Sequence, residues 1–199
     1  MLQRREVVSK LNHHRGDALM VTGLGSSSYD LHAAGDDNRN FYLWGAMGGA
    51  AMTGLGVAMA QPDKQVIVLT GDGEMLMGIG ALATIGVQQP NNLSVIVLDN
   101  GHYGETGMQA SHTQFGVDLP GIASASGLLI ASSTASRNPS SIHPSPMSWR
   151  RTECSAISAK ISPVMNVRKL TISDALTCTH LVCVPGKQTT PSKSGKSIR

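Results

Sequence analysis

The stretch QVIVLTGDGEMLMGIGALATIGVQQPNNLSVIVLDN, residues 65–100, decides the fold. It reads as a buried strand (Gln65–Thr70), a glycine turn (Gly71-Asp72-Gly73), a helix (Glu74–Val87), a polar turn (Pro90–Asn92) and a second buried strand (Leu93–Leu98). Two unbroken Val/Ile/Leu runs on either side of a helix predict parallel strands covered on both faces. The flanks continue the alternation: a helix over Arg4–His13, a strand over Ala18–Thr22 ending at Gly23, and a Gly/Ser loop over Leu24–Ser28. Tyr29–Ala34 reads as a short helix, Phe41–Leu43 as extended, and Met47–Ala60 as a small-residue helix that must lie close to its neighbours. Beyond Leu98, Asp99–Gly116 is a long Gly-rich loop and Asp118–Ser126 begins a further helix. The fold class is therefore α/β, a parallel sheet with helices on both faces. Such sheets bind ligands outside the carboxyl ends of their strands. Three loops gather there, Gly23–Ser28, Gly71–Gly73 and Asp99–Gly107, all rich in Gly or short polar residues.

Composition divides the 199 residues in two. Residues 1–127 hold 6 Lys+Arg against 11 Asp+Glu, whereas residues 128–199 hold 10 against 2. Gly divides 20 to 2 across the same boundary, and Cys154, Cys178 and Cys183 all lie beyond it. Charged residues are only 15% of the chain, which excludes a wholly disordered polyelectrolyte. The basic charges of the second part are scattered, without a helix stripe or interleaved aromatics, so a nucleic-acid partner is not expected. Three cysteines without paired spacing make neither a disulfide framework nor a zinc site. The uncharged run Phe41–Ala60 is long enough to span a bilayer, but its five glycines lower its hydrophobicity and it feeds directly into a short strand. No membrane span is expected. With no apolar signal-like segment at Met1–Lys10, a cytoplasmic protein is the expectation.

Two motifs carry chemistry. Gly71-Asp72-Gly73 ends a strand and opens a helix, where glycines admit a ligand to the backbone and free N–H groups face an anion. Taken alone, it is also a plain turn with Asp as cap. Asp99-Asn100-Gly101-His102 ends the next strand, and alone reads as a capping pair. Neighbouring strands lie about 5 Å apart, so Asn100 can stand beside Asp72. A carboxylate, an amide oxygen, a carbonyl and phosphate oxygens make a magnesium site. No Walker A motif is present, and Gly23–Ser28 imitates a dinucleotide fingerprint only imperfectly. His13, His14 and His32 read as solvated surface residues.

The pair of motifs, GDG followed after a βαβ segment by DN, resembles the diphosphate–magnesium motif of thiamine-diphosphate-dependent enzymes. The upstream NFYLWGAMGGAAMTGLGVAMAQPDK and downstream YGETGMQASHT resemble the cofactor-diphosphate domain of the sulfopyruvate decarboxylase β subunit and phosphonopyruvate decarboxylase type, over residues 1–127. The resemblance implies thiamine diphosphate and Mg²⁺ as cofactors. Asp72 and Asn100 would hold the metal through side chains and His102 through its carbonyl. Gly71, Gly73, Glu74 and Met75 would line the diphosphate from one side, and Gly23, Gly25 and Ser26 would close the other. Gly45 would accept a hydrogen bond from the aminopyrimidine, and Met47 would be the wedge that bends the cofactor, unless it only packs the helix. Gln109, Ser111, His112 and Thr113 would face substrate, with His112 as the candidate catalytic proton carrier. Asp99 stands where the family usually has Asn, adding a negative charge near the metal.

The family's activating Glu sits on a pyrimidine-binding domain, and no such domain is visible in this sequence. The chain is then expected to be half a site: the cofactor-binding subunit of a decarboxylase for a small anionic 2-oxo acid, sulfopyruvate-like, needing an α-type partner and inactive alone. The alternatives are a phosphonopyruvate decarboxylase, an acetolactate-synthase-like carboligase, or a truncated non-catalytic binding module. Residues 128–199 depart from the family. They are rich in Ser, Thr and Pro, and only Ile157–Ser162 and His180–Val184 hint at strands. This tail reads either as a shifted reading frame or as a disordered extension.

Overall fold

The computed structural model describes residues 4–130 and 180–183. Helix α1 (Arg4–His14) leads to β1 (Leu19–Thr22), α2 (Ser26–Ala33) and β2 (Asn40–Tyr42). Then follow α3 (Ala50–Ala60), β3 (Val66–Gly71), α4 (Asp72–Met77), α5 (Gly80–Gln88) and β4 (Leu93–Leu98). A hairpin of β5 (His102–Tyr103) and β6 (Gln109–Ala110), α6 (Leu119–Ala125) and β7 (His180–Cys183) complete the order. The sheet runs β2-β1-β3-β4-β7. Its first four strands are parallel, and β7 pairs antiparallel to β4 with Val95 opposite Val182.

The strand residues sort by parity onto two cores, as the period of two requires. Val66 and Val68 of β3 and Val95 and Val97 of β4 pack with α3, α5 and α6. Ile67, Leu69, Ile96 and Leu98 pack with α1 and α2 on the opposite face. The expected close approach of the small-residue helix is present: a Cβ at Gly54 of α3 would lie 2.1 Å from Val68 Cγ2. Among the described residues no helix is long and apolar enough to cross a membrane. The run Phe41–Ala60 is divided between β2, a turn and α3.

Several element bounds differ from the expectation. The helix expected over Glu74–Val87 is two helices, broken at Gly78. A Cβ at Gly78 would meet the Gly48 carbonyl oxygen at 2.0 Å, so two backbones touch there and the helix yields. The helix expected from Met47 starts at Ala50, because Gly48 takes a φ of +88° open to glycine. Ser26–Ser28, expected in a loop, form the first turn of α2. The Gly-rich loop after Leu98 contains the β5–β6 hairpin and two 3₁₀ turns. The strand hinted at His180–Val184 forms as β7, whereas Ile157–Ser162 lies outside the described residues.

Candidate functional site: a cleft at the carboxyl ends of the parallel strands

Gly71 of β3 pairs with Leu98 of β4, so the residues that follow leave the sheet side by side. The Asn100 backbone N–H donates to Asp72 Oδ1 at 3.4 Å. Asn100 Oδ1 accepts from the His102 N–H at 2.9 Å, and the His102 ring nitrogen Nδ1 lies 2.8 Å from the Asn100 carbonyl. These contacts fold Asn100 and His102 tightly around the end of β4. Asp72, Asn100 and His102 line one cleft together with Ser26, Met47, Gly71, Gly73 and Glu74, at the point where β1, β3 and β4 end.

Asp72 is buried, and its second oxygen is held from behind. Ser111 Oγ donates to Asp72 Oδ2 in a short hydrogen bond, and Thr113 Oγ1 lies 3.3 Å from the same oxygen. Thr113 Oγ1 also lies 2.8 Å from Asp99 Oδ1, which accepts from the Gly101 N–H at 2.9 Å. Ser111 and Thr113, expected to face substrate, are buried behind the carboxylate, whereas Gln109 and His112 are exposed. Asp99 is likewise buried, bonded to Gly101 and Thr113. Burial pushes the Asp72 carboxyl above its ordinary range; the Ser111 hydrogen bond opposes that shift and the Asp99 charge adds to it. A buried acid under that pressure is stabilised by a cation in front of it.

Glu74 has a side-chain role that sequence reasoning missed. Its Oε1 accepts from the Gly48 N–H at 3.2 Å and the Ala50 N–H at 3.1 Å, capping the start of α3. A Cβ at Gly23 would lie 2.0 Å from its Oε2, which is buried without a hydrogen-bond partner. One carboxylate thus touches the loop after β1, the turn after β3 and the segment that carries Gly45 and Met47. The Gly23 loop is braced from below: Ser28 Oγ donates to the Gly23 carbonyl and bonds Thr22 Oγ1, both at 2.6 Å. Tyr103 lies on Gly73, where a Cβ would come within 2.6 Å of its ring.

Other expected site residues lie apart. Met75 belongs to the core and does not line the cleft. Gly45 is exposed, with nothing within 4 Å of a Cβ built there. Gly25 faces Glu105 across the mouth of the cleft. His112 lines a neighbouring apolar groove with Leu76, Met77, Ile79 and Ile122, and reaches the cleft only through Tyr103, whose hydroxyl is 3.4 Å from His112 Nδ1.

The donor set fits a magnesium diphosphate. One carboxylate, one amide and a backbone carbonyl would supply the kind of oxygen ligands Mg²⁺ prefers, and phosphates would complete its shell. Among the described residues no group of three or more His, Cys, Asp or Glu gathers as a transition-metal site would require. Glycines at 23 and 73 sit where a side chain would collide with Glu74 or Tyr103.

A parallel α/β sheet with this cleft at its strand ends defines a ligand-binding α/β domain. Residues 25–132, more than half of the chain, match the thiamine pyrophosphate enzyme C-terminal TPP-binding domain, and the chain belongs to that family. It is 40% identical to sulfopyruvate decarboxylase subunit beta of Methanocaldococcus jannaschii, over 63% of this chain and 67% of that protein. It is 47% identical to phosphonopyruvate decarboxylase of Streptomyces viridochromogenes, over 56% of this chain but only 28% of that protein. Benzoylformate decarboxylase from Polynucleobacter necessarius shares the fold, with a TM-score of 0.55 at 17% identity, covering 64% of this chain and 27% of that one.

Proposed function

We propose that this chain is the thiamine-diphosphate- and Mg²⁺-binding subunit of a 2-oxo acid decarboxylase acting on a sulfopyruvate-like anion. The observation that carries the reading is Asp72, buried and held by Ser111, standing beside Asn100 at the adjoining ends of β3 and β4. Asp72, Asn100 and the His102 carbonyl hold the metal; the Gly71–Glu74 turn and the Gly23–Ser26 loop hold the diphosphate. Met47 lines the cleft as the wedge, and Glu74 fixes its segment by capping α3. When bound, the cofactor supplies the electron sink for loss of CO₂; the chain binds it, orients it and excludes water. The activating acid comes from a pyrimidine-binding partner, which agrees with the subunit beta names of the relatives.

Isothermal titration of the chain with thiamine diphosphate tests the site. Binding is expected only with Mg²⁺, and Asp72→Ala abolishes it. Turnover of sulfopyruvate is expected on adding an α-type subunit and absent without one. Robust decarboxylation by the purified chain alone contradicts the half-site reading.

A further inference from the structure

A carboxylate crosses the mouth of the cleft and has no part in the roles assigned above. Glu105 stands on the 3₁₀ turn Gly104–Thr106 at the tip of the β5–β6 hairpin. Its side chain lies on the loop after β1: a Cβ at Gly25 would meet Glu105 Cγ at 2.7 Å and Oε1 at 2.9 Å. Ser26 Oγ donates to Glu105 Oε1 at 3.3 Å. Ser26 is the first residue of α2, an eight-residue helix whose N-terminus has no side-chain cap. Backbone N–H groups at such an end favour an anion. Glu105 and Ser26 line the same cleft as Asp72, Gly73 and Asn100. Among the described residues no ion pair neutralises Glu105. Arg4 also lines the cleft, but its Nε and Nη2 are bonded to Asp30.

We propose that Glu105 is a built-in competitor for the cofactor's diphosphate. In the free chain its carboxylate takes the anion position at the start of α2, clasped by Ser26. A diphosphate closing on the Gly23–Ser26 loop meets a like charge there and must displace the side chain, so Glu105 sets cofactor affinity. The inference rests on the cleft being the diphosphate site. Two like charges in contact repel, and salt weakens that repulsion.

The test uses the full chain with two probes, thiamine diphosphate and inorganic diphosphate, titrated calorimetrically with and without Mg²⁺. Glu105→Gln keeps the size of the side chain and its hydrogen bond to Ser26, and sits at an exposed hairpin tip where folding is not at stake. It is expected to tighten both probes about tenfold, with the gain shrinking as salt is raised. Affinity equal to the parent overturns the inference. So does weaker binding of either probe, which would make Glu105 a ligand of the bound group instead of its competitor. Asp72→Ala separates the two failures. If it loses binding while Glu105→Gln changes nothing, only the competitor role falls. If neither the parent nor Glu105→Gln binds either probe, the diphosphate site falls and the competitor with it.

Discussion

Asp72 is the residue on which the candidate site turns, and its neighbours set how well it can work. Ser111 donates to Oδ2, while Oδ1 accepts from the Asn100 N–H. A residue that orients a metal-binding carboxylate typically governs metal affinity by about 10–100-fold. Ser111→Ala is therefore expected to weaken Mg²⁺-dependent thiamine diphosphate binding about tenfold or more, read by calorimetry, while the far-ultraviolet circular dichroism stays that of the parent. Unchanged affinity would mean that the backbone alone aims the carboxylate. Asp72 and Asn100 were legible in the sequence because two adjacent buried strands of equal length bring their ends level. The sequence places Ser111 and Thr113 near the site but does not show that they bond Asp72. Their direction depends on the β6 segment and the following 3₁₀ turn, which hydrophobic periodicity does not encode.

At the scale of elements, Glu74 of α4 is the cap of α3. Removing its acceptor strands the Gly48 and Ala50 N–H groups, and an unsatisfied buried donor costs about 1–3 kcal/mol. Glu74→Ala is expected to lower unfolding stability by that amount in urea titration; a loss below about 0.5 kcal/mol would show that water caps α3 instead. The same carboxyl carries a pH signature. Burial raises its pKa above the ordinary 4.5, opposed by the two backbone N–H groups. The folded chain then holds more protons than the unfolded chain above that value, so this group's contribution falls as pH rises through the window. Asp72 acts in the same direction. Asp37, held below its ordinary value first by the Arg39 side chain, acts oppositely, adding stability that is lost only in strong acid. Glu74→Gln cannot ionise, so urea stability measured from pH 4 upward should decline less steeply than in the parent. Parallel curves would refute the assignment. The strands and the order of helices were legible from runs such as VIVLT and LSVIVL, because a strand buried on both faces writes itself as continuous apolar sequence. The break at Gly78 was not, because its cause is the Gly48 carbonyl thirty residues upstream.

At the scale of the molecule, the open question is what closes the sheet beyond β4. Every residue of β4 is buried, and among the described residues its far edge is covered by four, His180–Cys183, running antiparallel. An all-parallel sheet of this class would continue with another helix and parallel strand. The composition break after Gly127 supports the proposal that the reading frame shifts near residue 128. Translating the coding DNA across codons 120–140 in all three frames is expected to uncover a glycine-containing α/β pattern in another frame; no such pattern would make residues 128–199 this protein's own solution. In either case β7 has a measurable job. An exposed row of strand N–H and C=O groups is a template for pairing with another chain. A chain ended at Ile130 lacks β7, presenting the β4 edge from Leu93 to Leu98 to solvent. That shortened chain is expected to self-associate with rising concentration in size-exclusion chromatography with light scattering, whereas the full chain keeps a constant mass under the same conditions. A monodisperse shortened monomer would mean that the β4 edge needs no cover, and that the pairing with His180–Cys183 contributes nothing to keeping copies of this chain apart.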